Sequence, residues 1–277
     1  MMMSANLNSL NQARQVYNSQ NEQISTGMRI NRPSDDPSGY SISTKLGAFI
    51  NQLDQHQKNI NFGVADLSRK ELAYSSIESP LREIKKELLT AANGTTNEQD
   101  KKILSNSIKE KISLIDSLLK SKNENQEFIF SGVDSKNPPY DQNFNINPSE
   151  GVKKLRYSQN GEMDISAKVP GGVVDFMKKI TEDLNSGTFT SDSIDLLNNA
   201  QKEITSERVN FGSKINVLDL TEKVNANFKT NLIGTKSEID EADIPDVITK
   251  LKQSQLAIDA NLKLMSQFQN NNLFSYL

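Results

Sequence analysis

Cysteine is absent from all 277 residues, which removes disulfide staples, thiolate metal ligands and thiol nucleophiles in one step. Tryptophan is absent as well, and the one histidine, His56, cannot supply the His pair of an H-E-x-x-H zinc site; it reads as a solvated residue on a helix. No stretch approaches the roughly 18 to 20 apolar residues of a membrane-spanning helix, and the opening MMMSANLNSLNQARQ lacks the basic-then-apolar order of a cleavable secretory signal. Charge of neither sign dominates: 32 Lys plus Arg face 35 Asp plus Glu, for a formal net charge of -3. Such a chain presents no polycationic field to neutralise phosphates, so nucleic acid is not an expected partner. No glycine-rich phosphate loop occurs, so neither a nucleotide cofactor nor a metal is expected. With 35% hydrophobic residues, a single thick core is not expected either. Length alone predicts about two domains at roughly 150 residues each.

What the sequence does have is helical periodicity at both ends. Met3, Leu7, Leu10, Arg14, Tyr17, Asn21, Ile24 and Met28 alternate spacings of four and three, one stripe of a helix. Leu46, Ile50, Leu53, Gln57, Ile60, Val64 and Leu67 continue the pattern through Tyr74, Ile77, Leu81, Ile84 and Leu88, a very long helix. Pro80 falls inside it and predicts a kink or a break, with Ser79 as a new N-cap. Asn93-Gly94 reads as a turn, and a helix after Asn97 carries Leu104, Ile108, Ile112, Ile115 and Leu119 on its apolar side. From about residue 126 the period is lost. Aromatics, a double proline and Asn-rich turns replace it, and KKLRYSQNGEMDISAKVPGG reads as two strands around an Asn-Gly turn. Helical signals return at Val173 to Leu184 and again from Ser191. The last stripe is the most regular: Ile244, Ile248, Leu251, Gln255, Ile258, Leu262 and Met265.

The spacings predict an α+β chain: a long antiparallel helical coiled-coil bundle from the N- and C-terminal segments, with a small β-rich domain inserted in the middle. The expected layout is an assembly helix and loop over 1–45, helical core over 46–127, a β-rich outer domain over 128–190, helical core over 191–240 and a second assembly helix over 241–277. Seven stripe residues contribute about 10 to 20 kcal/mol at roughly 1.5 to 3 each. Ordering about 30 backbone residues costs roughly 1 to 2 kcal/mol per residue. Neither end can stand alone, so each needs a partner surface. The expected packing residues are Leu7, Leu10, Tyr17, Ile24, Ile248, Leu251, Ile258, Leu262, Met265 and Phe268.

Between the first two helices lies RINRPSDDPSGYSIS, residues 29–43. Gly27 suits the position just past a helix end, and a residue before proline is pushed out of the α region. Asp36 is placed to cap the next helix, with Pro37 at its first position, where a missing N–H costs nothing. Two readings stand side by side. One is a capped loop; the other is a loop that also meets a neighbouring subunit through Arg29, Arg32, Asp35, Asp36 and Pro37, its arginines pairing with acidic groups. The two aspartates have no nucleophile nearby in sequence, so acid-base catalysis falls behind both.

ISTGMRINRPSDDPSGYSIS, followed by INQLDQHQKNINFGVADL, closely resembles the amino-terminal core of bacterial flagellin and its relatives, and NLFSYL resembles their carboxyl terminus. Within that superfamily, ENQEFIFSGVDSKNPPY, RYSQNGEMDISAKVPGG and ERVNFGSKINVLD are similar to the corresponding segments of the hook-filament junction family. This resemblance implies a structural, non-enzymatic protein, exported through the flagellar type III channel without a cleaved signal peptide and located on the extracellular flagellum. It implies self-association into a ring at the hook tip, a hook-proximal junction protein on one side and flagellin on the other. It also implies a cytoplasmic export chaperone that covers the C-terminal helix before export. The alternatives are filament flagellin itself and a secreted enzyme or binding module carried by the β insert.

Overall fold

The computed structural model describes residues 2–92, 97–149, 151–186 and 190–273, with side chains described outside 2–5, 92 and 268–273. Among the described residues, six helices and one two-stranded sheet follow in the order α1 (Met2–Thr26), α2 (Pro37–Ala92), α3 (Glu98–Leu119), β1 (Lys154–Arg156), β2 (Glu162–Asp164), α4 (Gly171–Ser186), α5 (Ser191–Asp240) and α6 (Ile244–Leu273). The chain divides into two compact units, one of residues 1–53 with 226–277 and one of residues 54–225. The expected Asn93-Gly94 turn lies outside the described residues.

The 54–225 unit has a continuous apolar core. Ile60, Leu67, Tyr74, Ile77, Leu81, Ile84 and Leu88 from α2 meet Ile108, Ile115 and Leu119 from α3, Val173, Phe176 and Ile180 from α4, and Leu197, Ile204, Phe211 and Leu218 from α5. The α2 and α5 residues recur at spacings of three, four and seven, which keeps one stripe of a long helix facing inward. Tyr74 sits at the centre, edge-on to Phe130 at 5.1 Å and tilted against Phe211 at 5.4 Å, while its hydroxyl donates to the Lys168 carbonyl at 2.7 Å. Burial therefore leaves no polar atom of this ring unsatisfied.

Of the kink or break expected at Pro80, the break does not occur. The helix runs through it, and Ser79 is an interior residue rather than a cap. An interior proline costs about 3 kcal/mol. Ile77, Leu81 and Ile84 are fully buried on either side of it, and each contributes about 1.5 to 3 kcal/mol, so continuity of the packed stripe outweighs the lost backbone bond.

The two strands expected around the Asn160-Gly161 turn are present, and they form the one sheet among the described residues. β1 and β2 pair antiparallel over three residues, Lys154 with Asp164, Leu155 with Met163 and Arg156 with Glu162. The loops before them are organised instead by side chains bonding to backbone: Asn123 accepts from the N–H of Asn125 and Glu127, Asp141 from Asn143 and Asn145, and Ser149 from Val133 and Asp134. Local Asn, Asp and Ser acceptors compete with strand pairing for the same donors. Helix α4 then takes its first-turn N–H bonds from outside itself, because the Glu203 carboxylate on α5 accepts from Gly171 at 3.1 Å and Gly172 at 2.6 Å.

Candidate assembly surface

The loop after α1 connects three helix ends. Gly27, at φ 71°, donates its N–H to the Gln23 carbonyl at 2.8 Å and closes α1 in the left-handed conformation that glycine adopts without strain. Met28 pairs antiparallel with Glu241, the Arg29 N–H donates to the Asp240 carbonyl at 2.6 Å, and the Ala242 N–H donates back to Gly27 at 3.0 Å. The loop thus lies along the α5–α6 connection.

Arg29 makes the central contact. Its guanidinium donates to the Ile239 carbonyl at 2.8 Å, an acceptor in the last turn of α5, and reaches Asp36 Oδ2 at 3.3 Å. A cation at a helix C-terminus satisfies orphan carbonyls and complements the dipole. Asp36 in turn caps α2: its Oδ1 accepts from the Gly39 N–H at 2.9 Å, and Pro37 opens the helix. The Gly39 N–H and the Arg29 guanidinium hold the Asp36 carboxyl below its ordinary range, against a smaller opposing effect of desolvation. One arginine therefore links the tail of α5 to the head of α2. A Cβ at Gly39 would come within 2.5 Å of Asp36 Oδ2 and 2.6 Å of Ile30 Cδ1, so only glycine fits beneath the cap.

Asp35 folds the loop itself, accepting from the N–H of Asn31 at 3.0 Å and of Arg32 at 2.8 Å, while Arg32 pairs with Glu22 of α1 at 3.0 Å. The acidic partners of Arg29 and Arg32 thus lie within the same chain. Sequence reasoning missed Asp240. It is 6% exposed, and its Oδ2 accepts from Ser43 at 2.6 Å and from Lys236. Burial works to raise this carboxyl, but the Lys236 ammonium, the Ser43 hydroxyl and Arg29 hold it below its ordinary range. A Lys four residues before an Asp at a helix end was the only sequence signal for it.

Helices α1 and α6 pair antiparallel, with Asn261 of α6 donating to Ser9 of α1 at 3.3 Å. The seam uses half of each predicted stripe. Leu10 is buried, and Tyr17, Ile24, Leu251, Ile258 and Met265 are half-buried. Leu7, Ile248 and Leu262, also expected to pack against the same chain or a neighbouring copy, are exposed within the single chain, at 42%, 39% and 45%. The seam positions between the apolar ones are Ala13 and Gln20 on α1 and Ser254 and Asn261 on α6, small or polar residues that an apolar-stripe count passes over. The Phe268 side chain lies outside the described residues. His56, expected in solvent, is half-buried, and its Nδ1 is sequestered without a partner.

Residues 1–135 match the family model described as the bacterial flagellin N-terminal helical region. Over this amino-terminal stretch the chain is similar to bacterial flagellins. Among curated flagellin-superfamily relatives, a flagellin of Halalkalibacterium halodurans is 24% identical over 247 residues, covering 89% of this chain and 85% of that one. The flagellar filament core protein flaB2 of Brachyspira hyodysenteriae is 23% identical over 259 residues, covering 90% and 87%. Among solved structures, a flagellar hook-associated protein from Vibrio parahaemolyticus superposes with a TM-score of 0.68 at 19% identity, over 75% of this chain and all of that one. FlgL of Bacillus cereus superposes at 0.61 with 15% identity, over 70% and 99%. These structural likenesses establish a shared fold.

Proposed function

We propose that the chain is a structural protein of the bacterial flagellum that joins hook to filament, polymerising as a ring at the hook tip on which flagellin assembles. The observation that carries this reading is the fold, which superposes on essentially the whole length of a flagellar hook-associated protein, of FlgL and of a flagellar junction protein from three organisms. The open half of the terminal stripes supports it. Ile244, Ile248 and Leu262 lie at multiples of about 100° that return them to one face of α6, and all three stay exposed after α1 has packed. Apolar residues left in register on a paired helix suit contact with further copies. Arg29, Arg32, Asp35, Asp36 and Pro37 hold the base of this pair, and through it set how the stripe is presented to neighbours. In this reading the protein leaves the cell through the flagellar export channel, with a chaperone over α6 until export, and works outside the cell between a hook-proximal junction protein and flagellin.

A second reading, filament flagellin, draws on the curated relatives that are filament proteins over most of their length. Deletion separates the two. Loss of a junction protein leaves hooks without filaments and releases unpolymerised flagellin into the medium. Loss of a filament protein leaves a hook with its junction complete and no flagellin in the medium.

A further inference from the structure

The loop that closes the β1–β2 hairpin, residues 157–161, ends in Asn160-Gly161. Asn160 is exposed. Neither its side-chain amide nor the Gly161 N–H has a hydrogen-bond partner among the described residues, whereas the Gly161 carbonyl is held by the N–H of Tyr157 at 3.1 Å and of Ser158 at 3.4 Å. The loop also closes tightly on Gly161: a Cβ there would lie 2.8 Å from the Tyr157 ring and 2.3 Å from Ser158 Oγ, so any other residue would displace those side chains. So the smallest possible residue follows an unrestrained asparagine.

We infer that Asn160 is a site of spontaneous modification, where the folded chain deamidates through a cyclic imide and acquires a mixture of aspartate and isoaspartate. Asparagine is among the thermolabile residues. Base removes the Gly161 amide proton, and the nitrogen attacks Cγ of Asn160. A C–N bond forms, the bond to the side-chain nitrogen breaks, and that nitrogen leaves as ammonia carrying the proton. Water then adds to either carbonyl of the five-membered ring, and opening gives a normal or a β-linked peptide bond, with no oxidant or cofactor required. Glycine at 161 removes the side chain that would otherwise obstruct the attack, and a glycine backbone reaches conformations that other residues do not.

The consequence is local and directional. One carboxylate is added beside Glu162, making the chain one unit more negative than its present net charge of -3. In the isoaspartate form the main chain gains an atom between residue 160 and Gly161, which displaces the carbonyl that Tyr157 and Ser158 hold. A hairpin of three residue pairs has little else to fix its register.

Purified full-length protein, held at neutral and at mildly alkaline pH, tests this by peptide mapping with mass spectrometry and chromatographic separation of the isoaspartyl form. The expected result is conversion at Asn160, faster at the higher pH, with isoaspartate as the larger product. Asn18-Ser19 in α1 and Asn106-Ser107 in α3 should stay amides over the same period, and Asn160→Gln should abolish the hairpin's acidic product. Two results would overturn the inference. One is an intact Asn160 in folded protein over a period in which the same residue converts in guanidinium. The other is conversion no faster than at the two helical asparagines.

Discussion

Replacing Gly63 with alanine adds one methyl group at a point where the fold has left none of the room it needs. Gly63 is buried on α2 beneath the hairpin, and a Cβ there would lie 2.3 Å from Leu155 Cδ2 and 3.0 Å from Leu218 Cδ1. Leu218 is fully buried and has nowhere to go, so Leu155, 7% exposed at the centre of β1, is the side chain that must move. Lifting a leucine out of a packed site forfeits about 1.5 to 3 kcal/mol. The helix gains about 1 kcal/mol from alanine over glycine, so the net effect is destabilisation of about 0.5 to 2 kcal/mol. For a cooperative unit of this size that lowers the melting temperature by about 1 to 8 °C. Leu155→Ala alone should also destabilise, because it empties the site. The decisive measurement is the double-mutant cycle in denaturant unfolding, since Gly63→Ala with Leu155→Ala should cost less than the two changes summed. Additive costs, or a Gly63→Ala variant more stable than the parent, would show that Leu155 does not rest on Gly63.

Three further outcomes follow from the geometry. Asp36→Ala removes both the α2 cap and the carboxylate that Arg29 holds, and should lower stability by about 1 kcal/mol in urea unfolding, with Asp36→Asn retaining part of it. Asp183 is 3% exposed and accepts from Lys179 at 2.8 Å, Ser193 at 2.5 Å and Thr190 at 3.1 Å. Burial works to raise its carboxyl, yet these donors hold it below the ordinary carboxylate range. Because the folded value lies under the unfolded one, the stabilisation is complete above about pH 4 and disappears as the pH falls through the folded value. Acid titration of unfolding should therefore show a shallower loss in Asp183→Asn than in the parent, although other lowered carboxyls keep some slope. Finally, Ile248→Asp with Leu262→Asp changes only exposed positions of α6, so circular dichroism should match the parent while incorporation into the flagellum is lost; normal motility would refute the assembly role of that face.

The parts of the structure legible in the sequence are those decided locally. Asp36 followed by Pro37 spells a cap and a first helical residue within three positions, and Asn97 before Glu98 and Asp100 does the same for α3, where it accepts from the Asp100 N–H at 2.7 Å. What defeated local reading was a competitor acting from far along the chain. Pro80 breaks a helix by every local rule, but the burial of Ile77, Leu81 and Ile84 is settled by α3, α4 and α5. The α1–α6 seam was half legible for a related reason. Leu10, Tyr17 and Ile24 can be read from spacing, but whether the second row passes through Arg14 and Asn21 or through Ala13 and Gln20 depends on the partner helix. In the middle segment the aromatics resemble strand residues, yet Asn123, Asp141 and Ser149 take the backbone donors that a ladder would have used.

Each unit is held together internally by a different kind of interaction, and this bears on the proposed assembly. In the 54–225 unit the core is apolar and crossed by few charges, such as Lys70, which lies among buried residues between Asp66 at 2.5 Å and the Ile165 carbonyl. In the terminal unit, Leu10, Ile30 and Val247 are the buried apolar residues among those described. Cap chemistry does much of the remaining work: Arg29 on Ile239 and Asp36, Ser43 and Lys236 on Asp240, Arg32 on Glu22. Hydrogen bonds of this kind fix geometry but each contributes a net of only about 0.5 to 1.5 kcal/mol, whereas each large apolar side chain buried contributes about 1.5 to 3. A unit with well-specified joints and little buried area has a defined shape and a low reserve of stability. The exposed Ile244, Ile248 and Leu262 are where that reserve can be added, and adding it requires another surface. In the proposed role, polymerisation would complete a core that the single chain leaves thin, and the polar joint at Arg29 would present the same surface to each next copy.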